Sequence, residues 1–141
     1  MIRSFADWFE QAGSDGIGLA EFVERREVKE TGASREAVRR RIEDALAVMR
    51  QAVQEGLEES GTSPSGLTGG RSGRLAADGP RLLGEGFTAM LSHAIATLET
   101  NARMGLIMAT PTAGAAGVVP AVLFTLAPAR GWSDEQLVDA M

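Results

Sequence analysis

No cysteine occurs anywhere in the 141 residues. That absence excludes a disulfide framework, a thiolate metal ligand and a cysteine nucleophile supplied by this chain itself. Histidine is nearly as scarce: His93 stands alone, and one imidazole cannot make a zinc site. Lys29 is the single lysine, set in the charged stretch REVKET with no pyridoxal-binding pattern around it, so Schiff-base chemistry finds no support. Positive charge is outnumbered as well, 14 Lys and Arg against 19 Asp and Glu for a net charge of -5, with the arginines of the first half interspersed among acids. A nucleic-acid surface needs a basic patch, so neither DNA nor RNA is expected as a partner.

The first residues, MIRSFADWFEQ, carry acids at amphipathic spacing and no long apolar run before a small-residue cleavage site. No secretory signal is read there, and the expected compartment is the cytoplasm. One uncharged run, residues 104–129 between Arg103 and Arg130, is long enough to cross a bilayer. Pro111 and Pro120 interrupt it, Gly105, Gly114 and Gly117 loosen it, and threonine and alanine stand where a spanning helix would use leucine. A buried core element needs the same lack of charge and is the reading adopted, with no membrane partner. At 44% hydrophobic residues the chain can bury a core of the size one domain requires.

What is present is mostly helical pattern. Ser4 is placed to cap a short helix FADWFEQ that stops at Gly13, and a second helix, LAEFVERREVKE, ends before Gly32. Ser34 caps the longest helix, in which Val38, Ile42, Ala45, Leu46, Met49, Val53 and Leu57 share one face at the 3.6 period. The glycine and serine of SGTSPSGLTGGRSG then forbid regular structure. Another helical pattern runs from about residue 80 to 103, followed by a short extended entry, a turn at TPTAG and a buried helix from near Gly114. Ser133 to Gln136 reads as a capping box opening a last helix. That helix halts after about two turns with its apolar face unfinished, which points to a truncation.

Two loops hold the chemistry. Gly61-x-x-x-x-Gly66-Leu67-Thr68 resembles a phosphate-binding loop, but Leu67 replaces the lysine, a helix precedes it in place of a strand, and no Walker-B-like run is apparent. The nucleotide reading fails on those three counts. Successive backbone amides in the glycine-rich turn, with the hydroxyls of Ser65 and Thr68, form a nest suited to a small carboxylate; the plain alternative is a connector. The second loop, Thr110 to Gly114, sets Thr112 and backbone donors at a helix start, where the dipole favours an anion; ordinary capping is the plain alternative.

SGLTGG at 65–70, Asn101-Ala-Arg-Met-Gly105, and ATPTAGAAGVVPAVL at 109–123 together resemble, in order and spacing, the alpha chain of the iron-sulfur-dependent L-serine dehydratases. The resemblance implies a lyase converting L-serine to pyruvate and ammonia with a [4Fe-4S] cluster held by three cysteines, whose open iron acts as Lewis acid on the substrate. Loops like those at 65–70 and 110–114 would then hold the carboxylate and amine of serine beside the cluster, and the individual site residues inferred from their position are Ser65, Gly66, Thr68, Gly69, Gly70, Asn101, Thr112, Ala113 and Gly114. The family's cluster cysteines lie in a C-terminal half that has no counterpart here, so this chain alone is expected to bind no cluster. Its expected partners are L-serine, that remaining half, and a beta domain or beta chain, in a homo- or hetero-oligomer.

The fold expectation is therefore all-α, a helical N-terminal portion of a dehydratase alpha domain with glycine-rich substrate loops between helices. Residues 1–60 form a helical scaffold and 61–141 the substrate-loop half of a single or partial domain. His93, mid-helix among apolar neighbours, reads as a surface or satisfied core histidine rather than a general base, and no catalytic base is assigned. Arg71 and Arg103 are candidates for attracting a carboxylate, against the commoner solvated arginine. From a different class, the alternative is a non-catalytic helical scaffold whose apolar second half binds a partner chain.

Overall fold

A computed structural model describes residues 4–59, 61–79 and 84–141. Among them every regular element is an α-helix and none is a strand, so the all-α expectation holds. The order is α1 (Phe5–Ser14), α2 (Leu19–Thr31), α3 (Arg35–Glu58), α4 (Arg71–Asp78), α5 (Glu85–Ala102), α6 (Ala115–Arg130) and α7 (Asp134–Ala140). Local chemistry sets the early boundaries. The Ser4 hydroxyl accepts from the Asp7 amide while the Ser4 amide donates to the Asp7 carboxylate, which closes a capping box. Ser34 takes the Ala37 amide at 3.2 Å to start α3, and Gly32, at φ 70°, ends α2 in the left-handed conformation.

The chain forms two compact units, one from residues up to 43 with 134–141 and one from residues 44–133. In the first, Glu24 on α2 pairs with Arg35 and, at 3.2 Å, with Arg39, whose same nitrogen reaches Asp139 on α7 at 3.0 Å. Leu137 and Val138 of α7 are buried there. The apolar face expected to be unfinished is thus covered, because residues distant in sequence supply what the short helix lacks.

The second unit, built from the later part of α3 with α4, α5 and α6, is held by small residues. Ala52 and Ala96 are fully buried, and Gly56 on α3 lies so close to the Ala96 carbonyl on α5 that no side chain fits between them. Hydroxyls then bridge the helices. Thr100 donates to the Ala52 carbonyl at 2.7 Å and Ser92 to the Ser72 carbonyl at 2.7 Å, while the single Ser72 hydroxyl proton is shared between the Gly56 carbonyl at 2.8 Å and the Glu99 carboxylate. Close backbone approach leaves room only for such short side chains.

Helix α4 overturns the expectation of irregular structure through residues 71–73. Its start is not capped by a neighbour in sequence but by Glu99, 28 positions away from Arg71, so no local signal announces it. Of the helix expected over 80–103, residues 80–83 lie outside the described residues and the rest is α5. The uncharged run resolves into a loop and α6, and no helix among the described residues is long and apolar enough to cross a membrane.

Gly56→Ala should destabilise the protein by about 1–3 kcal/mol, because the added methyl meets backbone that cannot rotate away. Gly13→Ala, in open space on α1, should stabilise by roughly 0.5–1 kcal/mol. Urea unfolding of both variants checks the contrast.

Candidate functional site

The last two turns of α5 present Glu99 to the glycine loop. Its side chain belongs to the stripe Ser92, Ala96, Glu99 and Arg103, spaced by four, three and four residues. Glu99 is only 2% exposed, and it is satisfied: one carboxylate oxygen accepts from the Arg71 amide at 2.9 Å, the other from the Ser72 hydroxyl at 2.7 Å and the Ser72 amide at 3.3 Å. These amides are the orphan donors at the start of α4, where the helix dipole is positive. Burial by itself would raise the Glu99 carboxyl; the Ser72 hydroxyl, the Arg71 and Ser72 amides and the Arg103 charge outweigh it and hold the group below the usual carboxylate range.

The loop that Glu99 fixes is internally closed. The Ser63 amide donates to the Thr68 carbonyl at 2.7 Å and the Gly66 amide to the Ser63 carbonyl at 2.8 Å, while the buried Ser63 hydroxyl lies 3.0 Å from that of Ser65. Gly69 takes φ 154° and packs on the Gly61 backbone with no room for a Cβ. Leu67, the residue in place of a phosphate-loop lysine, is 78% exposed. The Thr68 hydroxyl and the amides of Ser65, Leu67, Gly69 and Gly70 meet no protein acceptor or donor among the described residues.

Of the residues expected at the site, Ser65 and Gly66 are exposed, and Thr68, Gly69 and Gly70 are half-buried at the entrance to α4. Asn101 is exposed at the end of α5, with its side-chain amide unengaged, two residues beyond the carboxylate that anchors the loop. Thr112, Ala113 and Gly114 are exposed at the start of α6, where the Thr112 hydroxyl accepts from the Ala115 amide at 3.1 Å. Among the described residues no hydrogen bond joins 65–70 to 112–114. Glu99 and Ser72 were not among the expected site residues, whereas Arg103 was a candidate for attracting a carboxylate; the signal for Glu99 is an acid on a face otherwise made of small residues.

His93 lies half-buried with its Nδ1 2.9 Å from the Thr125 hydroxyl on α6, and burial lowers its pKa. It is a satisfied interhelix histidine, as its apolar setting suggested. A metal centre is another matter. Among the described residues no group of three His, Asp or Glu side chains converges to hold an ion, and a thiolate-held cluster finds no donor in a chain without cysteine.

A family model describing the serine dehydratase alpha chain matches residues 14–141. The chain is 38% identical to the probable L-serine dehydratase alpha chain of Bacillus subtilis, over 98% of this chain and 47% of that protein. It is 27% identical to the L-serine dehydratase alpha chain of Peptoniphilus asaccharolyticus over 87% of this chain and 43% of that one. A third relative, the L-serine dehydratase of Streptomyces coelicolor, is 39% identical over 54% of this chain and 18% of its own length. The chain spans about half the length of the first two of these curated relatives. No solved structure matches it significantly.

The Glu99 contacts carry a pH signature. Its folded pKa lies below the unfolded one, so its contribution is fully present above the unfolded carboxyl range and is lost as pH falls through the folded value. Glu99→Gln should cost about 1.5–3 kcal/mol at pH 7 and flatten the acid limb of the stability–pH curve. Chemical unfolding between pH 3 and about 7 reads both effects.

Proposed function

This chain belongs to the serine dehydratase alpha chain family, and we propose that it is the serine-binding, N-terminal portion of an L-serine dehydratase, which converts L-serine to pyruvate and ammonia through elimination of water that the hydrolysis of the enamine then takes up again. One observation carries the site assignment. The loop at 63–70 spends three of its amides on itself, those of Ser63, Gly66 and Thr68, and runs into residues anchored by Glu99, yet keeps the Thr68 hydroxyl and four amides unspent. Backbone and hydroxyl donors with free capacity, held in a closed turn, are what a substrate carboxylate requires.

In this reading the amides of Ser65, Leu67, Gly69 and Gly70 and the Thr68 hydroxyl receive the carboxylate of serine. Asn101, beside the same anchor, has both a donor and an acceptor to offer the amino or hydroxyl group. The exposed turn at Thr112, Ala113 and Gly114 closes the other side of the substrate. Fixing the carboxylate and amine aligns the Cα proton and the β-hydroxyl for elimination, and the enamine released hydrolyses to pyruvate and ammonia.

The iron–sulfur character belongs to the complete enzyme and not to these residues, since the donor set here does not fit a cluster. The ligands come from polypeptide corresponding to the other half of the relatives, with a beta domain or chain completing a cytoplasmic oligomer. This chain by itself is accordingly inactive. The scaffold reading draws on the exposed stripe Phe87, Leu91 and Leu98 on α5, which offers such polypeptide an apolar surface.

In the complete enzyme, Thr68→Val should raise the KM for L-serine by about tenfold or more, the worth of one hydrogen bond to a charged group, with the cluster spectrum retained. Steady-state kinetics with an absorbance spectrum of the same sample make the test. An unchanged KM removes Thr68 from the binding set.

A further inference from the structure

Arg103 lies one turn beyond Glu99 and is only 11% exposed on its side chain, so it is not the commoner solvated arginine. Its donors are incompletely used. Nη2 donates to the Glu55 carbonyl at 3.3 Å, and Nε sits 3.1 Å from a carboxylate oxygen of Glu59, within ion-pair range but without hydrogen-bond alignment. Nη1 is buried with no partner at all. A buried guanidinium with two idle donors is costly, and native proteins complete such groups with an acceptor.

Three features place that acceptor. The Arg103 stem approaches Gly61, the first glycine of the loop, and Glu99 on the same helix face grips the loop's far end, so both flanks of 61–72 rest on one turn of α5. Asn101 lies between the two in sequence. Glu59, the present partner, is 62% exposed and free to swing into water. It behaves as a resident carboxylate in a place that another carboxylate can take.

We propose that Arg103 is a substrate-binding residue that receives the carboxylate of a small amino or hydroxy acid held by the glycine loop, with Glu59 as the side chain it displaces. The inference rests on the serine-binding reading above and deepens it: the loop supplies neutral donors and Arg103 the countercharge. Guanidinium and carboxylate match in a planar, two-pronged geometry that a lysine cannot reproduce. Glu59 then acts as an internal competitor, which a purely structural ion pair would not.

The test uses the complete enzyme and three variants, Arg103→Gln, Arg103→Lys and Glu59→Gln, each checked by circular dichroism melting. Arg103→Gln should raise the KM for L-serine by about thirtyfold or more, with a smaller change in kcat, and Arg103→Lys should restore part of it. Glu59→Gln should lower KM, because the competing carboxylate is gone. A folded Arg103→Gln enzyme with unaltered KM overturns the inference, as does a Glu59→Gln enzyme whose KM rises alongside that of Arg103→Gln. Calorimetry with L-serine and L-serinamide separates this inference from the reaction assignment. If the wild type makes no pyruvate yet binds the acid over the amide, and loses that preference in Arg103→Gln, the anion site stands and the dehydratase reading falls. Equal binding of acid and amide overturns the anion site itself.

Discussion

A single buried carboxylate organises the second unit. Glu99 accepts from two backbone amides and a hydroxyl at the start of α4, and those donors would otherwise be orphaned at a helix end that has no local cap. Taking a carboxylate out of water costs several kcal/mol unless its lone pairs are met. Here they are met by the groups that most need an acceptor. The exchange fixes where α4 begins and, through it, where the glycine loop ends.

The loop's properties follow from that constraint. Serine-rich, glycine-rich sequence has little conformational preference of its own. Between an anchored exit at Arg71 and an entry lying against the Arg103 stem, it takes one closed turn. Small residues make the arrangement possible, since only Gly56 lets α3 approach the Ala96 carbonyl closely enough for Ser72 to reach both the Gly56 carbonyl and Glu99. Packing and polar satisfaction are one device here, not two.

Much of this was legible in the residues. Periodicity and local caps found α1, α2, α3, α5 and α6 because Ser4, Gly32 and Ser34 act on their own neighbours. The family resemblance, carried by SGLTGG, the Asn101 segment and ATPTAG, agrees with the match over residues 14–141. What stayed hidden was long-range. Helix α4 depends on an acceptor 28 residues away, α7 buries Leu137 and Val138 through partners far back in the chain, and Arg103 looks solvated until the fold covers it. Glu99 itself left a trace, a lone acid on a face of serine and alanine, which periodicity arguments discard as an exception.

The most direct measurement is hydrogen exchange on the complete enzyme with and without L-serine, read peptide by peptide. The account expects slowed exchange across 65–70 and around 101–103, where unspent amides acquire acceptors and the loop loses its remaining freedom. Protection confined to other segments, with 61–72 unchanged at saturating serine, contradicts it.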